Sequence, residues 1–358
     1  MLRERSTYQL IKMSNVYQSE LRLDRNPSFW NVVDAKQKEF ILKKGDTVLT
    51  LTGTVGKRDF GYSVHIKEDD KYLLNQRLVL LREKELESIN EFIHQLVSNE
   101  KFLDDFFGVA KGGTGNQTNV GIEDVKKISF SFPSVPEQKR IADFFTLIDE
   151  RIATQNKIIE NLETLIKGLN EKLLTKKMRF KDENSGNFPE WEEQELGEVL
   201  YYEQPTKYLV NSTEYDDSYV IPVLTAGKTF ILGYSNETHG IFSENLPVII
   251  FDDFTTAIKF VDFPFKAKSS AMKILLPKKG VNIYYVFEAM KSIDYTIGGH
   301  ERHWISKYSK IEIPLPCSEE QSKIANSLTC IDEKIETEKK ILAQYEALKR
   351  YFLMNLFI

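Results

Sequence analysis

The sequence predicts an α+β protein in which two globular domains are joined by two long, antiparallel coiled-coil helices with a pseudo-twofold internal repeat. Three observations predict this fold class. One helical segment occurs twice, with Gln138 and Gln321 at equivalent positions and therefore an offset of 183 residues. Both copies carry an apolar heptad pattern, which is the period of a coiled coil. Short runs of strand-forming residues, separated by glycine turns, precede each copy and indicate mixed α and β structure.

The composition limits the class of protein. The chain has 358 residues and is 41% hydrophobic, which predicts two or three domains with their own cores. Its two cysteines, Cys317 and Cys330, cannot form a disulfide framework, so we expect a cytoplasmic protein. No apolar segment follows Met1 and no stretch approaches ~18 apolar residues, so we expect neither a signal peptide nor a membrane span.

The charge is distributed unevenly. The formal net charge is −5; residues 1–131 carry 20 basic and 19 acidic side chains, whereas residues 179–316 carry 14 and 20. Neither segment is basic overall. Nucleic-acid binding would therefore depend on local basic patches or on the charge of a partner.

Residues 1–132 are predicted to form the first globular domain. Strands are expected at 46–51 and 78–81, followed by an amphipathic helix at roughly 86–107. A last short strand at 127–132 leads into prolines, which end a strand and set the start of a helix.

The first long helix is predicted at residues 133–178. Its apolar residues alternate in steps of four and three, as the seam of a coiled coil does. The seam comprises Ile141, Phe145, Ile148, Ile152, Gln155, Ile159, Leu162, Ile166, Leu169 and Leu173.

Residues 179–316 are predicted to form the second globular domain. The polar stretch 176–190 contains glycine and proline and predicts the linker that enters it. A short amphipathic helix is expected at 281–294. Strands are expected at 219–224, 248–251 and 272–276.

The second long helix is predicted at residues 317–358. Gln155 and Glu338 place a polar residue at the same step of the two seams, which can fix register. We expect the two long helices to pack on each other in antiparallel orientation. The alternative is two separate amphipathic helices, each lying on its own domain. The second seam comprises Ile324, Leu328, Ile331, Ile335, Glu338, Leu342, Tyr345, Lys349, Phe352 and Leu356.

Motifs for catalysis are weak in this sequence. A Walker A loop would need Gly and Ser/Thr at Leu51 and Arg58, and no dinucleotide-binding or adenine-methylation motif is present. Asp252 and Asp253 follow a strand, but adjacent strand residues point to opposite faces, which disfavours a shared metal. Five histidines and the loop-like segment 300–304 do not complete a zinc site.

Binding chemistry is better represented. Asn, Gln and Arg side chains hydrogen-bond to base edges, whereas Lys, Ser and Thr suit phosphates. For each candidate, the alternative is a polar surface loop without a partner. The candidates in the first half are Thr54, Lys57, Arg58, Asn75, Gln76, Arg77, Lys111, Thr114, Asn116, Gln117 and Asn119. Those in the second half are Thr225, Lys228, Thr255, Thr256, Lys259, Lys268, Ser269, His300, Arg302, His303 and Trp304.

The two helical segments, PEQKRIADFFTLIDERI and EEQSKIANSLTCIDEKI, resemble the helical regions of the specificity (S) subunit of type I restriction-modification systems. The segments MRFKDENSGNFPEWEEQELGEV, GDTVLTLTGTVGKRDFG, YVIPVLTAGKTFILGYSNETHGIF and PVIIFDDFTT resemble its target-recognition domains. The resemblance covers essentially the whole chain, and the double arrangement makes it specific.

The resemblance implies a non-catalytic, sequence-specific DNA-recognition subunit. Two target-recognition domains would each read half of a split site in double-stranded DNA. The helices would set the spacing and bind two modification (methyltransferase) subunits, and restriction subunits would join that complex. S-adenosylmethionine, ATP and Mg would be needed only on the partner subunits. This chain is expected to bind no cofactor or metal of its own.

Two hypotheses compete with this interpretation. One is a stand-alone or fused restriction endonuclease or methyltransferase-associated enzyme that uses Asp252 or Asp253. The other is a protein scaffold without DNA contact. The sequence also departs from the family pattern, because the opening segment seen at 188–198 has no counterpart before the first predicted strand, residues 8–13.

Overall fold

The computed structural model describes residues 8–112, 115–225, 227, 229–295 and 303–357. The chain divides into two compact units. Unit 1 comprises Met1–Lys157 together with Lys339–Ile358, and unit 2 comprises Ile158–Glu338. Each long helix therefore contributes one part to each unit. No helix within the described ranges is both long enough and apolar enough to cross a membrane.

Unit 1 is built on small sheets covered by helices. One sheet has the order β4-β1-β8, another β7-β5-β9, and a third β10-β11-β6. Its strands are β1 (Tyr8–Ile11), β2 (Val16–Tyr17), β3 (Glu20–Leu21), β4 (Phe29–Trp30), β5 (Thr47–Thr50), β6 (Thr52–Thr54), β7 (Ser63–His65), β8 (Tyr72–Leu74), β9 (Leu78–Leu81), β10 (Lys111–Gly112) and β11 (Gln117–Asn119). Its helices are α1 (Asn90–Val97), α2 (Glu100–Gly108), α3 (Ile122–Val125) and the first part of α4 (Val135–Leu174).

Unit 2 is likewise built on small sheets covered by helices. Its main sheet has the order β13-β19-β16-β17, beside a β15-β14-β18 sheet and a β12-β20 pair. Its strands are β12 (Glu192–Glu195), β13 (Leu200–Glu203), β14 (Ile221–Leu224), β15 (Ile231–Ser235), β16 (Val248–Asp252), β17 (Ile258–Val261), β18 (Lys266–Ala267), β19 (Met272–Pro277) and β20 (Glu312–Leu315). Its helices are α5 (Leu196–Val199), α6 (Ile283–Lys291), α7 (His303–Ser306) and the first part of α8 (Ser318–Leu356).

The central three strands have the same register in both units. In unit 1, Thr47 of β5 pairs with Leu81 of β9 and with His65 of β7. In unit 2, Ile249 of β16 pairs in the same way with Leu275 of β19 and with Phe260 of β17. The strands β5 and β16 are buried along their whole length, so a shift of one residue would turn apolar side chains out of the core. The two units therefore share one scaffold.

A repeated glutamine fixes each long helix to the unit in which it begins. Gln138 accepts a hydrogen bond from the Ile89 backbone N–H at 3.2 Å and donates to the Pro133 carbonyl at 2.9 Å. Gln321 accepts from the Asn282 N–H at 2.8 Å and donates to the Pro316 carbonyl at 2.8 Å.

Ile89 and Asn282 are the N-cap residues of α1 and α6. Each glutamine therefore satisfies an N–H at the start of a helix, where intrahelical acceptors are lacking. The internal repeat predicted from sequence thus extends to individual hydrogen bonds.

The heptad seams occupy the covered faces of the long helices. Every predicted seam residue of α4 is buried or half-buried, and the same holds for α8 except at Leu356, which is 39% exposed. Within unit 1, Phe144 and Phe352 pack with ring centroids 4.8 Å apart. Lys349 Nζ lies 2.6 Å from Asp149 Oδ1. Because the pairing runs in opposite chain directions, the helices are antiparallel there, which confirms the predicted fold class and contradicts the alternative of separate helices.

Most predicted elements of the two halves are present, with three differences. The helix expected at 86–107 is divided, because Asn99 caps a second helix by accepting from the Lys101 N–H at 2.7 Å. The expected strand at 127–132 does not form, although its counterpart β20 does pair, with β12. The segment expected as a loop at 300–304 contains the start of α7, at His303.

Candidate nucleic-acid interface

Three separate segments converge beyond the end of β5 in unit 1. The Leu51 backbone N–H donates to the Arg77 carbonyl at 3.3 Å, and the Val120 N–H donates to the Leu51 carbonyl at 2.9 Å. Residue 51 therefore ties together the segment after β5, the turn between β8 and β9, and the segment after β11. Of the described candidates of the first half, Thr54, Lys57 and Arg58 follow β5, and Asn75, Gln76 and Arg77 form the turn between β8 and β9. Lys111, Asn116, Gln117 and Asn119 lie on the β10–β11 hairpin that ends just before Val120.

Unit 2 repeats this arrangement bond for bond. The Asp253 N–H donates to the Ala271 carbonyl at 3.1 Å, and the His303 N–H donates to the Asp253 carbonyl at 3.0 Å. Asp253 follows β16 as Leu51 follows β5, and His303 lies 183 residues after Val120, which is the offset of the helical repeat. Thr255 and Thr256, which follow β16, are therefore equivalent in place to Thr54, which follows β5, whereas Thr225 lies in the β14–β15 connection and Lys259 in β17.

Pairing of β6 with β11 places the first and third polar segments of unit 1, residues 54–58 and 111–119, side by side. Thr54 is opposite Gln117, and Thr52 is opposite Asn119. The Thr52 Oγ1 and Asn119 Oδ1 atoms are 2.6 Å apart. Thr54 is held by Asp59, whose carboxylate accepts from the Thr54 hydroxyl at 2.6 Å and from its N–H at 2.8 Å. These two bonds keep the pKa of Asp59 below its ordinary value.

Two candidate cations of unit 1 have acidic partners. Arg58 Nη2 lies 2.7 Å from Asp104 Oδ1, and its guanidinium carbon is 4.9 Å from the centre of the Phe107 ring. Lys111 Nζ lies 2.8 Å from Asp124 Oδ2, and this hydrogen bond lowers the pKa of Asp124. Exposed pairs of this kind contribute little to stability. They do hold the cationic groups beside the convergent segments, from where a phosphate could recruit them.

The remaining described candidates of unit 1 are exposed, except for Asn75, which is half-buried. Asn75 Oδ1 accepts from the Arg77 N–H at 3.3 Å and shapes the turn. Within the described part of the chain, the side chains of Lys57 and Arg77 make no hydrogen bond or ion pair. Exposed members of the set are Lys57, Arg58, Gln76, Arg77, Lys111, Asn116, Gln117 and Asn119.

The turn between β16 and β17 presents the hydroxyl groups of unit 2. Asp252 Oδ1 accepts from the Phe254 N–H at 2.9 Å and from the Thr255 N–H at 3.3 Å. The Thr256 N–H donates to the Asp252 carbonyl at 2.9 Å. Thr255 is exposed and Thr256 is half-buried. Asp252 therefore serves as the cap of this turn, a common role of Asp side chains.

Two lysines of unit 2, Lys268 and Lys259, lie near the connection between β14 and β15 that begins at Thr225. The Lys268 backbone N–H donates to the Leu224 carbonyl at 2.9 Å, which places Lys268 and Ser269 beside Thr225. The Lys268 ammonium lies 3.1 Å from the Tyr215 hydroxyl. Lys259 Nζ lies 5.8 Å from the centre of the Phe230 ring, in the hairpin that begins at Thr225. The structure therefore brings these candidates together.

His303 and Trp304 require a correction. Both side chains are buried, at 0% and 2% exposure, so we revise their role from contact with DNA to support of the surface. The backbone N–H of Trp304 donates to Asp253 Oδ1 at 2.9 Å, and the Trp304 ring packs on Phe251. The Tyr295 hydroxyl lies 3.2 Å from His303 Nδ1. His303 occupies the position of Val120 in unit 1, which is also a core position.

Four candidates lie outside the described residues: Thr114, Lys228, His300 and Arg302. Among the described residues, no group of three or more His, Cys, Asp or Glu side chains could hold a metal ion. The Asp252 carboxylate accepts the backbone hydrogen bonds of the turn that follows β16. Asp253 is bonded to Trp304 and lies 3.4 Å from Lys273 Nζ, in a pair that is almost fully buried.

Sequence reasoning missed the anchoring residues of this surface. Tyr215 lies outside every motif, and its contact with Lys268 spans 53 residues. Lys273 was predicted only as part of a strand, yet its side chain is fully buried beside Asp253. The repeat offset of 183 could have indicated that His303 is a core residue, because it aligns His303 with the apolar residue Val120.

Comparison with known proteins identifies the family to which these features correspond. The chain matches the family described as type I restriction modification DNA specificity domain over residues 2–164 and 189–347. It is 56% identical over 134 residues to the specificity subunit of the type I restriction enzyme EcoR124I/EcoR124II from Escherichia coli, which is 36% of this chain and 33% of that subunit. The chain thus spans about a third of the length of this relative.

More distant similarities cover more of the chain. It is 29% identical over 310 residues to the putative type I restriction enzyme MjaX specificity subunit from Methanocaldococcus jannaschii, with 80% of this chain and 72% of that protein covered. The crystal structure of the type I restriction-modification S subunit from M. genitalium has a TM-score of 0.64 at 18% identity, covering 90% and 85% of the two chains. This likeness concerns the fold.

Proposed function

Because the chain belongs to the family of type I restriction modification DNA specificity domains, we propose that it is the sequence-specific DNA-recognition subunit of a type I restriction-modification complex. Residues 1–132 and 179–316 each read one half of a bipartite site in double-stranded DNA. Residues 133–178 and 317–358 form the helical spacers. The observation that carries the proposal is the pair of equivalent polar surfaces, each held by the same two backbone hydrogen bonds on the same scaffold.

The two surfaces have the chemistry for unlike half-sites. Unit 1 presents Gln76, Arg77 and Gln117, whose amide and guanidinium groups match the edges of adenine and guanine in the major groove. Unit 2 presents Thr255 and Lys259; a lysine ammonium can donate to guanine O6 and N7, and a threonine hydroxyl can bind either kind of base edge. An identical scaffold with different side chains is what reading two different half-sites requires.

The helices provide matched positions for two copies of one partner. Ile158 and Leu165 lie two turns apart on one face of α4 and are 37% and 55% exposed. Their equivalents in the repeat are Ile341, which is half-buried, and Leu348, which is 42% exposed. An apolar patch on one face of a helix is the kind of surface to which another protein binds, and here the same pair of apolar positions occurs in both helices. This supports the binding of two modification (methyltransferase) subunits, which restriction subunits then join.

The catalytic steps belong to the partners in this proposal. The chain itself is non-catalytic, and S-adenosylmethionine, ATP and Mg bind only to the modification and restriction subunits. The net charge of −6 over residues 179–316, from 14 basic and 20 acidic side chains, supports this division, since partners would then supply much of the contact with phosphates.

Methylome sequencing tests the proposal. The chain is expressed with a modification subunit in a host that lacks adenine methylation, and we expect methylation at a split motif. Exchange of residues 191–316 for those of another specificity subunit should change one half-site only. The control Glu160→Ala, at an exposed position of α4, should leave the motif unchanged. Absence of any motif, with the complex assembled, would contradict the proposal.

A second experiment tests the spacer. Insertion of one heptad after Gln155 and one after Glu338 preserves both seams and lengthens the pair by roughly 10 Å. We expect the gap between half-sites to widen by about three base pairs, at ~3.4 Å each. An unchanged gap in an assembled, active complex would count against the helices as the spacer.

The competing nuclease hypothesis is not favoured. Asp252 caps a turn and Asp253 is bonded to Trp304 and paired with Lys273, so neither carboxylate is free to bind a metal without rearrangement. Metal-dependent DNA cleavage by the purified chain alone, abolished by Asp252→Ala, would reverse this judgement.

A further inference from the structure

The turn after the central strand of unit 2 carries an exposed aromatic residue. Phe254 follows Asp253 directly and lies in the turn between β16 and β17. Phe254 is 44% exposed, whereas Asp253 beside it is 1% exposed. Phe254 therefore adds an apolar group to a surface on which Thr255 and Lys259 present a hydroxyl and an ammonium group.

Hydrogen bonds hold this turn in one shape. The Phe254 N–H donates to Asp252 Oδ1 at 2.9 Å, and the Thr256 N–H donates to the Asp252 carbonyl at 2.9 Å. The Asp252 N–H in turn donates to the Ala257 carbonyl at 2.8 Å. A residue on a turn that is already fixed loses less conformational freedom when a ligand binds, which favours a specific contact.

The turn that follows the central strand of unit 1 also carries an exposed apolar residue. Val55 comes directly after β6 and is 47% exposed. The Lys57 N–H donates to the Thr54 carbonyl at 3.1 Å, which places Val55 and Gly56 at the tip of a turn. Gly56 has a φ of +74°, a conformation that glycine adopts without strain. The Val55 N–H donates to the Asn116 carbonyl at 3.3 Å, so Val55 is held between two of the polar segments.

We propose that Phe254 and Val55 each contact the methyl group of a thymine in the major groove, so that each half-site contains an A·T pair at the contacted position. The inference rests on the proposed DNA-recognition function and adds a class of base to it. Thymine is the base that presents a methyl group in this groove, and apolar side chains recognise it by direct contact. The amide and guanidinium groups of the surface match adenine and guanine, and these two residues supply the apolar contact.

The burial of the two residues favours this contact over the other common use of an apolar side chain on DNA. That use is insertion as a wedge between stacked bases, which kinks the duplex. A wedge has to project beyond the protein surface, but the protein covers more than half of Phe254 and of Val55. The part that stays accessible can contact a methyl group without separating two base pairs.

Replacement of thymine by uracil tests the inference, because uracil pairs with adenine in the same way and lacks the methyl group. The full chain, assembled with its modification subunit, is titrated against fluorescent duplexes that carry the methylated motif, with each thymine replaced in turn. One replacement in each half-site should weaken binding about fourfold, the effect of one buried methyl group. A half-site without an A·T pair, or equal binding of all the duplexes, would overturn the inference.

Matched variants assign each methyl group to a side chain. Phe254→Ala should bind the thymine and uracil duplexes of one half-site equally and keep the preference at the other, and Val55→Ala should show the reverse. Phe40→Ala and Val32→Ala, at positions 48% and 80% exposed outside these turns, should keep both preferences. Specific binding in which Phe254→Ala and Val55→Ala also keep both preferences would overturn this inference alone. Failure of the assembled complex to bind any specific motif would overturn the proposed function and this inference with it.

Discussion

Acidification should destabilise unit 1 through His94. This side chain of α1 lies against His65 of β7, with ring centroids 5.4 Å apart. The Nδ1 atoms of both rings are inaccessible and have no hydrogen-bond partner among the described residues. Burial, followed by the neighbouring His65 and Lys349, lowers the pKa of His94 to about 3. Burial also lowers the pKa of His65.

The sign and the size follow from proton linkage. Because the folded-state pKa is depressed, folded His94 stays neutral while the unfolded chain takes up a proton as the pH falls below about 6.5. Between pH 7 and pH 5, this difference lowers the free energy of unfolding by about 2 kcal/mol. The loss continues toward the folded-state pKa of about 3.

Hydrogen exchange of the α1 amides measures this change. After correction for intrinsic exchange rates, protection of Asn90–Val97 should fall by about 25-fold from pH 7 to pH 5 through this histidine. His94→Gln should remove that part of the pH dependence. His239→Gln, at an exposed position of unit 2, should not. An identical pH dependence in His94→Gln and the unchanged chain would refute the reasoning.

Three further predictions concern single contacts. Gln138→Ala should lower the free energy of unfolding of unit 1 by about 1–3 kcal/mol, because buried polar groups lose their hydrogen-bond partners. Gln321→Ala should do the same to unit 2. Hydrogen exchange measured within each unit separates the two effects. Asp253→Ala should cost about 3–5 kcal/mol by leaving Lys273 buried without its counterion, measured by urea unfolding, and a loss below 1 kcal/mol would contradict this. Lys57→Ala should reduce the slope of log affinity against log salt for DNA by about 0.9, with an unchanged slope as the contrary result.

The scaffold was largely predictable because its signals are local. Residues 78–81 were predicted as a strand with the bounds that β9 shows, since a short apolar run between turns is typical of a buried strand. The seams were predictable because the heptad period requires only local sequence. The strand expected at 127–132 failed for a long-range reason: β20 pairs with β12, whereas this segment has no equivalent partner strand among the described residues.

The candidate surface was predictable by residue type but not by side-chain environment. The polar segments were found from composition, and the structure brings the described ones together. Burial of His303 and Trp304 depends on packing against Phe251 and Asp253, more than 50 residues earlier in the chain. The partner of Arg58, Asp104, is 46 residues away. Contacts over such distances follow from the tertiary fold and leave no local pattern.

The division of the chain has a consequence for biosynthesis. Unit 2 is a continuous segment, Ile158–Glu338, whereas unit 1 needs both Met1–Lys157 and Lys339–Ile358. Domains generally fold in the order in which they leave the ribosome. Here unit 2 can complete its fold first, while unit 1 waits for Lys339–Ile358 to be synthesised. Until that segment has left the ribosome, the apolar surface around Phe92 and Phe145, which later receives Phe357, stays exposed to chaperones.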